Sequence, residues 1–181
     1  RSHCDWSSDV CSSDLEKAIK IKPNFVAAHN NLGIVFKELG EHKKAMSHFQ
    51  KAIEIQPNFE NAYYNLGVAF KGLNEFKKAI NCFEKAIQIN PNYAMAYNNL
   101  GLVFQELNES EKAISCYEKA IQVDPNYVNA YNNLGTILGE LNHINEAEKN
   151  FKKSLNLDPN KKKLLKIMAI YCLSLINTIK L

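Results

Sequence analysis

The five prolines of this chain, Pro23, Pro57, Pro91, Pro125 and Pro159, stand 34 residues apart. Gly33, Gly67, Gly101 and Gly135 keep the same step, and so do Ala45, Ala79, Ala113 and Ala147. A fixed period of this length belongs to an array of like helix–turn–helix units, none of which can bury its apolar face alone. The period therefore constrains the fold more tightly than any local propensity.

Residues 60–93 show how one unit reads. Ala62, Tyr63, Leu66, Gly67 and Phe70 form an apolar stripe at helical spacing. Asn74 follows, where the other units carry Gly40, Asn108 and Asn142. Gly and Asn are the residues that accept left-handed backbone angles, so the position predicts a helix C-cap and turn. A second helix starts near Phe76, with Ala79, Ile80, Phe83, Ala86 and Ile87 on one face. Pro91 ends it, because proline cannot continue a helix. Gly67 and Ala79 allow the two helices to approach, and Tyr63, Phe70 and Phe83 are expected in the core around them.

These positions resemble the tetratricopeptide-repeat (TPR) signature, which stands in the third unit as Tyr97, Leu100, Gly101, Phe104, Ala113, Tyr117, Ala120 and Pro125. The resemblance implies an all-α, right-handed α-solenoid of antiparallel helix pairs. Its repeats would cover 26–59, 60–93, 94–127 and 128–161, after a remnant of a preceding repeat at 16–25. Residues 162–181 are expected to form a capping helix or a truncated end, since terminal repeats are atypical. His29 departs from the signature in the first repeat, and Leu138 and Ser154 in the last, which suggests loosening toward the C-terminal end.

Residues 1–15 do not belong to the pattern. They hold the only Trp and the only Arg, and the run DWSSDVCSSDL resembles an in-frame translation of a sequencing-adapter oligonucleotide. They are expected to be non-native and are set aside. Cys82, Cys116 and Cys172 then remain, without a CxxC pair or metal-type spacing. Free thiols point to a reducing compartment, the cytoplasm. Residues 16–159 hold 16 Lys against 16 Asp plus Glu, so the body lacks the basic stripe of a nucleic-acid binder. Ile167–Ile176 is an apolar run too short to span a bilayer, although Lys161–Lys163 beside it leave a membrane anchor as a minor alternative.

No catalytic constellation, cofactor motif or metal site is present in the sequence. His42, His48 and His143 are expected to be isolated surface residues. Attention therefore falls on the face that each first helix turns away from its partner, because stacked repeats bind on their concave surface. Asn31, Asn65, Asn99 and Asn133 occupy one equivalent place two residues before each Gly. Beside them stand Asn30, Tyr64, Asn98 and Asn132. One helical turn earlier are Asn61 and Asn129, with Ala27 and Met95 in the other repeats; Ile34, Val68, Leu102 and Thr136 lie one turn later. An amide offers donors and an acceptor together, so a ladder of them suits the backbone of an extended peptide. The rival reading is local helix–helix hydrogen bonding, or a composition rich in Asn and Lys. The expected function is a non-enzymatic protein–protein interaction scaffold binding an extended peptide in an asparagine-lined groove. The ladder also resembles the TPR arm of O-linked N-acetylglucosamine transferases. That resemblance implies an alternative, a substrate-recruiting arm of a larger transferase. It does not resemble co-chaperone TPRs, which place Lys and Arg inward to clamp a carboxylate; only Lys37 and Lys71 lie nearby.

Overall fold

A computed structural model describes residues 8–159; the expected capping helix or anchor at 162–181 lies outside the described residues. Those described are all-α: α1 (Ser8–Ile21), α2 (Val26–Glu38), α3 (His42–Ile55), α4 (Glu60–Gly72), α5 (Phe76–Ile89), α6 (Ala94–Glu106), α7 (Ser110–Val123), α8 (Val128–Glu140) and α9 (Ile144–Leu157). The helices associate as the pairs α2/α3, α4/α5, α6/α7 and α8/α9, the fold class that the 34-residue period predicts. Helix α1 begins inside the segment read above as non-native. Two compact units divide at Pro91 and Asn92. In the first, α1 lies on α2, α3 bridges to α4, and α2 touches α4; in the second, α7 bridges to α8 and α6 touches α8.

Each pair is held by a glycine facing an aromatic ring. Phe83, completely buried on α5, lies against Gly67 of α4 so closely that an added Cβ would stand 2.8 Å from a ring carbon. The same arrangement joins Gly33 to Phe49, Gly101 to Tyr117 and Gly135 to Phe151. Alanines complete the seam: Ala45 and Ala52, Ala79 and Ala86, Ala113 and Ala120 are all inaccessible to solvent.

The turns between the helices of a pair follow from one left-handed residue. Gly40 (φ 75°), Asn74 (φ 58°), Asn108 (φ 59°) and Asn142 (φ 64°) sit where the sequence predicts them. With that residue left-handed, Glu75 N–H donates to Phe70 O at 2.9 Å and Asn74 N–H to Lys71 O at 3.0 Å. This Schellman pattern satisfies carbonyls that the helix end would leave unpaired. The Glu that closes the turn then pairs with a Lys three residues on: Glu41 with Lys44, Glu75 with Lys78, Glu109 with Lys112. Each ammonium also lies over the last aromatic of the first helix, Phe36, Phe70 or Phe104, at 5.1–5.3 Å. At the far end of each second helix, Gln56, Asn90, Asp124 and Asp158 are extended. Each directly precedes a proline, whose ring disfavours helical angles in the residue before it.

The expectation of a surface His48 fails. His29, at the place of the first aromatic, is buried, and its Nδ1 lies 3.2 Å from Nδ1 of half-buried His48. His29 Nε2 lies 3.0 Å from Pro23 O. A carbonyl only accepts, so His29 Nε2 carries a proton, and the two Nδ1 atoms share one hydrogen bond whose donor is set by the tautomers. The His48 ring is also stacked on Phe36. Burial, and secondarily the charge of His29, lower the His48 pKa, with Glu16 working the other way. The fold thus prefers neutral His48, while the unfolded chain takes up protons below about pH 6.5. This contribution to stability is complete above that value and is lost as pH falls from it toward the lower folded pKa. The urea midpoint is expected to fall from pH 7 to pH 5, and His48→Gln to flatten that slope; an unaltered slope would remove the pair as its source.

The last repeat also differs from its expectation of loosening at Ser154. Its hydroxyl is buried but donates to Asn132 Oδ1 at 2.7 Å, so the exchange of Ala for Ser leaves no orphaned group there. Leu138 is likewise buried in the core of this unit.

Candidate functional site

Helices α2, α4, α6 and α8 carry the asparagines, and residues at i, i+4, i+7 and i+11 share a helical face. In α8 that face reads Asn129, Asn133, Thr136, Glu140; in α6 it reads Met95, Asn99, Leu102, Glu106. The ten candidate residues do not behave alike. Asn30, Asn65 and Asn98 are buried, at 6%, 8% and 4% exposure. Tyr64, Asn99, Asn132 and Asn133 are half-buried, and Asn31, Asn61 and Asn129 are exposed.

Within each unit the amides pair across adjacent first helices. Asn65 Nδ2 donates to Asn30 Oδ1 at 2.9 Å in the first unit. Asn133 Nδ2 donates to Asn98 Oδ1 at 2.8 Å in the second. Both pairs join residues 35 apart, one period plus one. Asn30 Nδ2 also donates to Asn31 Oδ1 at 3.4 Å, and Asn99 Nδ2 to the carbonyl of Met95 at 3.0 Å. Tyr64 is placed against the Phe83 ring, with centroids 5.9 Å apart.

The second unit adds a cleft of about 420 Å³ over this face, lined by Leu102, Gln105, Glu106, Asn108, Asn133, Thr136 and Glu140. Leu102, Asn133 and Thr136 are among the residues that sequence places on the inward stripe. Gln105, Glu106 and Glu140 were not singled out by sequence reasoning. Gln105 is held from below: the buried Tyr117 hydroxyl donates to its Oε1 at 2.8 Å, and its Nε2 donates to Glu140 Oε2 at 3.5 Å. Burial first, then the charges of Cys116, Glu140 and Glu106, push the Tyr117 pKa up, so the phenol remains a donor. Comparison along the period was the available signal. Tyr117 stands where the other repeats have Phe49, Phe83 and Phe151, and Gln105 where two of them have Lys37 and Lys71.

Neither Cys82 nor Cys116 forms a disulfide, and burial pushes the Cys82 thiol up to about 11. So protonated a thiol is a poor nucleophile at neutral pH. Among the described residues no three side chains converge as a metal site, and no helix is long and apolar enough to cross a membrane.

Comparison with known proteins places this geometry in a family. One family model described as tetratricopeptide repeat matches residues 26–59, 60–93 and 94–127. A second model of the same description matches 116–149, a register that joins the second helix of one repeat to the first of the next. Among solved structures, the crystal structure of MamA is 33% identical over 86% of this chain and 91% of its own, with a TM-score of 0.74. A MamA fragment from Desulfovibrio magneticus RS-1 is 25% identical over 85% of this chain and 87% of its own, with a TM-score of 0.73. TTC0263, a thermophilic TPR protein in Thermus thermophilus, shares the fold at 21% identity, with a TM-score of 0.76 over 92% of this chain and 91% of its own. The search of curated proteins gives no match.

Proposed function

From the premise that this chain belongs to the tetratricopeptide-repeat family, and is a protein–protein interaction scaffold, we propose that it holds an extended peptide segment on the first-helix face of its repeats and has no chemistry of its own. The observation that supports this reading is Asn133. One of its N–H groups is committed to Asn98, yet the side chain still lines the cleft. An amide so anchored keeps an acceptor and a second donor in fixed orientation. Those two groups match the N–H and C=O that an extended backbone presents. Little rotamer entropy is then lost on binding, which is how a preorganised site gains affinity. The exposed Asn31, Asn61 and Asn129 extend the same polar surface within their own units. The transferase-arm alternative would use the same face in a longer polypeptide and rests on sequence resemblance alone.

Backbone recognition has a direct test. Dodecapeptides are selected on the immobilised full chain from a random library, then resynthesised with alternate backbone nitrogens methylated. Methylation removes donors without altering side chains. Titration calorimetry should show about tenfold weaker binding, the effect of one or two lost hydrogen bonds. Unchanged affinity, or a library that yields no binder, overturns the proposal.

A further inference from the structure

The cleft between α6 and α8 is chemically unlike the same place in the first unit. At its rim stand Glu106 and Glu140, the last residues of their helices. Among the described residues no Lys or Arg lines it. At the position of Gln105, the first unit carries the cations Lys37 and Lys71. The cleft is also built rather than incidental. Tyr117 is completely buried and does the same core packing as the phenylalanines of the other repeats. Its added hydroxyl is not required by that packing. It fixes the Gln105 amide, whose N–H₂ in turn faces the Glu140 carboxylate. Leu102 and Thr136 also line the cleft, and the Thr136 hydroxyl is turned back to the carbonyl of Asn132 at 2.9 Å.

We infer that this cleft receives the basic side chain, lysine or arginine, of the extended segment whose backbone lies on Asn133. The inference rests on the peptide-holding reading above and names the residue type which that segment must carry. The aliphatic stem of a Lys or Arg covers Leu102, as such stems do on apolar surface. Its charged head meets Glu106 and Glu140, with Gln105 holding the second carboxylate in place. Charge complementarity of this kind sets partner choice and register more than total affinity. An acidic side chain at the same point would meet two like charges and be rejected.

The experiment uses the full chain and the same random dodecapeptide library. Binders should show Lys or Arg enriched at one position, and exchanging that residue for Ala should weaken binding. The double variant Glu106→Gln/Glu140→Gln should lose about tenfold for the basic peptide, as two partly exposed ion pairs warrant, and little for its Ala analogue. That preference should also shrink as salt rises. Tyr117→Phe separates positioning from folding, because phenylalanine already serves at this place in three repeats. It should keep the helical signal and thermal midpoint of the parent while reducing the basic-over-Ala preference. Binders without a basic position, or a preference that survives in the double glutamine variant, overturn this inference and leave backbone recognition standing. A library that yields no binder overturns both.

Discussion

Phe83→Ala is expected to cost about 3–5 kcal/mol, the range for a fully buried aromatic truncated to a methyl, and to reverse the sign of a second substitution. Phe83 is inaccessible to solvent and fills the space against Gly67. In the parent chain, Gly67→Ala forces a Cβ to within 2.8–3.1 Å of three ring carbons of a completely buried side chain. Overpacking of this kind costs about 1–3 kcal/mol. In the Phe83→Ala background the obstruction is gone, and only helix propensity is left at position 67. Alanine is better than glycine there by about 1 kcal/mol, so the same Gly67→Ala change should stabilise. Urea titrations of the four proteins of the cycle, followed by the helical signal, read both signs. Because each repeat touches only its neighbours, amide exchange should quicken first in α4 and α5. If Gly67→Ala destabilises equally in both backgrounds, the ring-on-glycine account of the repeat is wrong.

The cycle is legible in sequence because the period aligns Gly67 with Gly33, Gly101 and Gly135, and Phe83 with Phe49, Tyr117 and Phe151. Periodicity reports what every repeat shares: the helix pairs, the left-handed turn residues and the small-on-large seam. It is silent on what one repeat does alone. His29 could be seen as a missing aromatic, but its partner His48 is 19 residues away on another helix, and no spacing rule joins them. The hydroxyl of Tyr117 was equally visible and equally mute, since its value lies in the distance to Gln105. The asparagines were found as a ladder, yet sequence treated them as one class. Burial divides them, because adjacent positions on a helix point about 100° apart and because equivalent positions meet different neighbours: Asn65 is buried against Asn30, whereas Asn31 is exposed. Asn30 and Asn31 therefore meet different surroundings, one buried and the other exposed.

That division decides how the ladder must be tested. Asn65→Ala alone is expected to cost about 1–3 kcal/mol, because it withdraws the donor from the buried Asn30 Oδ1 and leaves that acceptor unsatisfied. A loss of peptide capture in this variant would report unfolding as readily as a missing contact. The double variant Asn30→Leu/Asn65→Leu removes both partners and replaces them with apolar groups of similar size, an exchange that is close to neutral when nothing polar is orphaned. Its urea midpoint should therefore recover most of what Asn65→Ala loses. Binding then reads the amides by themselves. If the pair only fastens α2 to α4, the double variant captures the selected dodecapeptides as the parent does, and the ladder is a structural seam in the first unit. If the pair also presents its remaining donor and acceptor to a peptide backbone, calorimetry shows weaker binding in a protein that is still folded. The second outcome is expected for peptides that need the first unit, since a leucine pair can fill the space between the helices but offers no group to an extended chain.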